Sequence, residues 1–140
     1  MLHVVAAVIE RPDRRILIGQ RRRGDTSPLK WEFPGGKVRS AETFEQALAR
    51  ELREELGVTL TKSVEIASVR HQYANTADEL ELHFFAAQYA EPDISARVFE
   101  QIAWALPREL SNYDFLLANR ELIANLATGR IKPSELLAAI

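Results

Sequence analysis

The chain has 140 residues, 46% of them hydrophobic and 27% charged, with a net charge of −2 and no cysteine. This composition excludes a disordered chain, disulfides and thiolate metal sites, so any metal is held by oxygen or by the three histidines. The small net charge argues against general binding to nucleic acid or membrane surfaces, and the length suits one domain, residues 1–140.

Met1 to Ile9 is apolar but lacks a basic leader and a cleavage site, and Arg11, Asp13, Arg14 and Arg15 follow at once. It is a poor signal peptide and too short a membrane span, so a cytoplasmic protein is expected. Leu2 to Glu10 predicts a buried strand, Arg11 to Arg14 a turn, and Arg15 to Gln20 a second strand. Arg21 to Pro28 is polar and predicts a loop. Trp31 to Gly36 predicts a short extended piece that breaks at Pro34-Gly35-Gly36, where glycine lets the backbone approach a ligand closely.

Thr43 to Leu56 predicts a helix. Thr43 and Gln46 form a capping-box pattern, Phe44, Leu48, Leu52 and Leu56 make one apolar stripe, and Gly57 stands at the C-cap. Ser63 to Tyr73 and Glu79 to Tyr89 predict strands around a polar turn, Ala74 to Asp78. Phe99 to Ala105 predicts a short strand, Asp114 to Ala127 a helix ending near Gly129, and Pro133 to Ala139 a last short helix. His3, His71 and His83 are scattered without ligand spacing and read as structural, and Trp31 and Trp104 read as core. Tyr73 reads as core, close enough to a strand end to line a pocket. Strands mixed with a few helices predict an α+β sandwich.

Glu51, Glu54 and Glu55 fall within about 100° of arc on the predicted helix. Like charges so placed cost about 0.2–0.5 kcal/mol per pair, and they sit at the helix end where the macrodipole disfavours anions. A hard divalent cation removes the conflict, and oxygen-only ligands favour Mg²⁺, with Mn²⁺ as a substitute. Arg50, one turn before Glu54, is placed to pair with the cluster and orient it. Such a cation suits polyphosphate hydrolysis, where charge must be neutralised and a nearby carboxylate must take a proton from water.

From Gly36 to Val58 the chain reads G-x5-E-x7-R-E-L-x-E-E-x-G-V, with Glu42, Arg50, Glu51, Leu52, Glu54, Glu55, Gly57 and Val58 in register. This is a full match to the Nudix box, and the chain resembles the Nudix hydrolases. The resemblance implies the Nudix α/β/α sandwich, with a mixed β-sheet between helices. It implies Glu54 and Glu55 as metal ligands together with the Gly35 or Gly36 carbonyl. Glu51 is implied as general base, with ligand and base roles able to trade within the group, and Glu42 in support.

Trp31 to Lys37, the lead-in to the box, resembles the MutT branch, which implies Arg21, Phe33 and Lys37 as substrate-binding residues. Asp114-Phe115-Leu116-Leu117-Ala118-Asn119 resembles the D-F-x-x-A-N segment of that branch and implies that Asn119 reads the base, since an amide offers both a donor and an acceptor. Arg21 also reads as a solvated member of the Arg21-Arg22-Arg23 run or as a triphosphate contact, and Asn119 as a helix cap. The chain departs from the pattern in two places. Val98 stands where many relatives have a glutamate, so the extra metal ligand is either Glu100, on the same face of the predicted strand, or missing. Leu116-Leu117 replaces two prolines.

The expected activity is Mg²⁺-dependent hydrolysis of a nucleoside triphosphate to the monophosphate and pyrophosphate, with 8-oxo-dGTP the favoured substrate and nucleotide-pool sanitation the role. The alternatives are a pyrimidine or broad (d)NTP pyrophosphatase, and a non-catalytic nucleotide sensor, against which the intact box argues. Removal of pyrophosphate from RNA 5′ ends is a further option, with no basic surface to favour it. A nucleotide is the expected partner, with no membrane or stable nucleic-acid partner. The chain is expected to be a monomer or homodimer, and the tail from Gly129 to Ile140 is open to packing on the core or on another subunit.

Overall fold

The structure, a computed structural model, describes residues 1–72 and 79–140. The predicted turn from Ala74 to Asp78, and Tyr73, lie outside the described residues. In chain order the strands are β1 (Leu2–Val8), β2 (Ile16–Gln20), β3 (Trp31–Glu32), β4 (Gly35–Lys37), β5 (Leu60–Gln72), β6 (Glu79–Tyr89) and β7 (Gln101–Ala105). The α-helices are α1 (Phe44–Leu56), α2 (Arg120–Ala127) and α3 (Pro133–Ala138).

A four-stranded mixed sheet has the order β4-β1-β6-β5, with β1 parallel to β6 and the other pairs antiparallel. A second, antiparallel sheet has the order β3-β2-β7. Alternate residues of β1 enter two different cores. Val5 and Ala7 pack with Leu48, Leu52 and Leu56 of α1, and Ala6 and Val8 pack with Leu122, Ile123 and Leu126 of α2. The mixed sheet thus lies between α1 on one face and α2 on the other, with α3 also packed on β5 and β6, which is the helix/sheet/helix layering that the resemblance implied.

Local sequence explains α1 well. The Thr43 hydroxyl accepts from the Gln46 N–H at 3.1 Å, and the Gln46 side chain accepts from the Thr43 N–H at 2.9 Å. Gly57 ends the helix at φ 69°, with its N–H on the Arg53 carbonyl at 3.0 Å. Leu48, Leu52 and Leu56 are fully buried, each contributing about 1.5–3 kcal/mol.

The extended piece breaks at Pro34, within the expected Pro34-Gly35-Gly36, but the chain resumes at once as β4, since Gly35–Lys37 pairs with β1. A Cβ on Gly35 would strike the Val5 carbonyl, so only glycine allows that pairing. The helix expected from Asp114 begins at Arg120: Phe115 is held beside Trp31 in a parallel bridge, and a 3-10 turn at Leu117–Asn119 leads into α2. The strand expected from Phe99 begins at Gln101. The tail packs on the chain itself. Pro133 and Leu137 of α3 are buried, and Ser134 bonds the Glu10 carboxylate through its N–H and its hydroxyl.

Candidate active site

The carboxylates of α1 face β4. A Cβ on Gly36 would land on the Glu51 carboxylate, and Glu55 Oε1 accepts the Gly35 N–H at 2.8 Å. Glycine at both positions is what lets helix and strand close to this distance.

Arg50 gathers the other acids. Its Nε and Nη2 grip both oxygens of Glu42, at 2.7 and 2.9 Å. Its Nη1 donates to Glu51 Oε1 at 2.8 Å and lies 3.5 Å from Glu54 Oε2. Nη2 also reaches the Lys37 carbonyl at 2.9 Å. The helix is thereby tied to β4 and to the loop that carries Glu42.

The acids differ in environment. The Arg50 fork holds Glu42 down at a pKa of about 2, helped by the Arg39 N–H. Burial pushes Glu51 up, against the opposing pull of Arg50. Burial pushes Glu55 up to about 8; the Gly35 N–H opposes this, and the nearby charges of Glu51, Glu32 and Glu54 add to it. Among the described residues no cationic side chain lies within ion-pair distance of Glu55, while Glu54 is half exposed at the rim. A buried, uncompensated carboxylate beside two others is a donor set that fits a hard dication.

A cleft of about 590 Å³ opens beside these acids. Gly35, Gly36, Glu55 and Lys37 line it together with Arg21, Glu32, Phe33 and Asn119, and apolar walls come from Val4, Ala6, Leu82 and Leu116. The four expected substrate-binding residues and Glu55 therefore share one cavity. Phe33 is buried, with its ring centroid 5.5 Å from that of Phe115. Asn119 is 3% exposed and stands at the N-terminus of α2, yet its side chain makes no capping hydrogen bond. Asn119 lines the cleft and does not serve as a side-chain cap. The Arg21 guanidinium is already committed to Glu32 at 2.8 Å and to Thr26 at 2.7 and 2.9 Å, so it builds the wall of the cleft.

Glu100 is not brought to the acids. It is exposed, precedes β7, and bonds Gln20 through its backbone, so the strand face expected for it does not apply. Val98 lines the small cavity around Glu55, and Leu117 is 62% exposed while Leu116 lines the cleft. Sequence reasoning passed over Glu32, whose carboxyl burial pushes up despite Arg21, and which lines the cleft beside Glu55. Its place next to Phe33 in the lead-in to the box was the available signal. Trp31 is core as expected, edge-on to Tyr113, and Trp104 is partly buried under the Arg11 guanidinium.

The NUDIX domain model matches residues 1–138. The CTP pyrophosphohydrolase of Escherichia coli (strain K12) is 36% identical over 136 residues, covering 96% of this chain and 98% of that protein. The 8-oxo-dGTP diphosphatase of Proteus vulgaris is 40% identical over 90 residues, covering 60% of this chain and 73% of that protein. The structure titled as MutT from Aliivibrio salmonicida and Vibrio cholerae superposes with a TM-score of 0.77 at 30% identity, covering 91% of this chain and 98% of that one. With its box closed around Gly35 and Gly36 and its cleft beside it, the chain belongs to the NUDIX domain family, as a MutT-like Nudix hydrolase.

Proposed function

We propose that the chain, acting as a single unit in the cytoplasm, hydrolyses a nucleoside triphosphate to the monophosphate and pyrophosphate with Mg²⁺ bound at the box. The supporting observation is the shared cleft: Glu55, Gly35 and Gly36 line it together with Phe33 and Asn119, whose side chain makes no capping bond. Glu54, Glu55 and the Gly35 carbonyl would hold the cation, with Glu51 able to join them. When bound, it neutralises polyphosphate charge and acidifies water.

The side chains supply the rest. Glu51 is the proposed base: Arg50 fixes its Oε1, and burial keeps its pKa raised toward the working pH. Arg50 positions Glu51 and Glu54 and is itself anchored by Glu42. Lys37 meets the phosphates at the cleft mouth, and Arg21 holds the wall through Glu32. Phe33 flanks the base, and Asn119 offers it a donor and an acceptor.

The favoured base is oxidised guanine, supported by Asn119 and by the similarity to an 8-oxo-dGTP diphosphatase. A second reading, CTP, is supported by the similarity along nearly the whole chain to a CTP pyrophosphohydrolase. Pyrophosphate release from 8-oxo-dGTP, dGTP, dCTP and CTP, each with Mg²⁺ or Mn²⁺, tests both. A higher kcat/KM for 8-oxo-dGTP than for the rest supports the first reading, and a preference for CTP selects the second. No release from any of the four rejects the activity.

A further inference from the structure

A second cluster of metal-binding side chains lies outside the box. In the parallel pairing of β1 and β6, His3 is opposite Glu81 and Val5 is opposite His83. Odd-numbered residues of both strands point to the α1 side of the sheet, and there three side chains converge. His83 Nε2 lies 3.2 Å from His3 Nδ1 and 3.0 Å from Glu81 Oε1, and His3 Nδ1 lies 3.8 Å from the same oxygen.

Ligand atoms at about 2.0–2.1 Å from a tetrahedral ion stand about 3.3 Å from one another. The three observed separations bracket that value, so one ion can touch all three atoms without a side chain moving far.

Neighbouring groups already aim these atoms. Glu65 Oε2 is 2.8 Å from His83 Nδ1, where a carboxylate accepts the Nδ1–H and leaves the Nε2 lone pair directed at the cluster. Arg70 Nε donates to Glu81 Oε2 at 3.0 Å, which leaves Oε1 turned to the imidazoles. The Phe44 ring packs with its centroid 4.2 Å from that of His83 and 5.5 Å from that of His3. His83 is 5% exposed and anchors the group, while the His3 side chain is 39% exposed and leaves an open edge.

We propose that His3, Glu81 and His83 form a second cation site, distinct from the box, that takes a borderline transition dication, Zn²⁺ being the best match. Two imidazoles and one carboxylate suit Zn²⁺ and not Mg²⁺, whose ligands are oxygens. Water completes the fourth position from the open edge. The bound ion joins β1 to β6 beside Phe44, the first residue of the helix that carries the box. The competing description is an ion-free staple in which His83 bridges Glu65 and Glu81.

The test is calorimetric titration of Zn²⁺ into the untagged full chain with excess Mg²⁺ present. One equivalent is expected to bind and to raise the melting temperature. His3→Ala and Glu81→Gln should each weaken Zn²⁺ binding by roughly tenfold or more, and Glu65→Gln by about tenfold. Glu55→Gln should leave it unchanged. Co²⁺ should give the intense visible bands of four-coordination in the wild type and not in His3→Ala. His3 is at the open edge, so His3→Ala is expected to fold, and its melting temperature in EDTA checks this. Failure to bind one equivalent, binding unaffected by His3→Ala and Glu81→Gln, or binding lost in Glu55→Gln would each overturn the proposal, the last by placing Zn²⁺ at the box.

Discussion

Burial holds Glu55 at a pKa of about 8, so without a cation it keeps its proton at neutral pH. Glutamine is nearly isosteric with that protonated form. Glu55→Gln should therefore leave the melting temperature in EDTA almost unchanged, abolish the rise caused by Mg²⁺, and lower kcat/KM by about two orders of magnitude. Thermal melts with and without Mg²⁺, run beside a pyrophosphate assay, check all three. The base-reading role proposed for Asn119 is tested by substitution in the same way. Asn119→Ala should cost about tenfold in kcat/KM on the preferred nucleotide, the worth of one hydrogen bond, and less on the others. Equal losses on every nucleotide would remove Asn119 from base reading. The placement of Arg50, Glu51, Glu54 and Glu55 on one helix was legible because a helix fixes spacing locally. Glu100 was not, since residues 98–100 form a bend and not the strand that would have set its direction.

α1 and the loop before it form one electrostatic unit. Glu42 has a folded pKa of about 2, below its ordinary value of 4.5, so its stabilisation is present above about pH 4.5 and is lost as pH falls toward 2. Glu42→Gln should lower the melting temperature at pH 7, and the gap from wild type should close as pH drops from 4.5 to 2; a gap that persists at the lowest pH would contradict this. Thr43→Ala removes one half of the capping box and should cost about 1 kcal/mol in urea unfolding. Both caps and the stripe of this helix could be read in advance because each depends on residues within one turn. The start of α2 could not. Asp114 and Phe115 are held extended by long-range partners: Lys30 Nζ lies 2.8 Å from the Asp114 carboxylate, and Trp31 bridges Phe115. Tertiary pairing there overrides a helical pattern.

The strand pairings of the whole molecule were the least legible feature. β1 and β6 are far apart in the chain, and nothing local announces that they run parallel. That pairing alone assembles His3 with Glu81 and His83, three residues that look unrelated in the sequence. The tail is a similar case, docked through Leu137, which is 4% exposed. Leu137→Ala should cost about 2–4 kcal/mol in denaturant unfolding, and a change within 0.5 kcal/mol would mean that α3 adds little to the fold. The two-faced character of β1 has an evolutionary corollary. The acids proposed to break phosphate bonds stand on the α1 side of that strand, whereas Phe33 and Asn119, proposed to read the base, belong to the other side. A lineage can drift from one nucleobase to another through Leu116, Asn119 and their surroundings while its hydrolytic frame stays untouched, and relatives with 8-oxo-dGTP or CTP in their names are what such drift would leave behind.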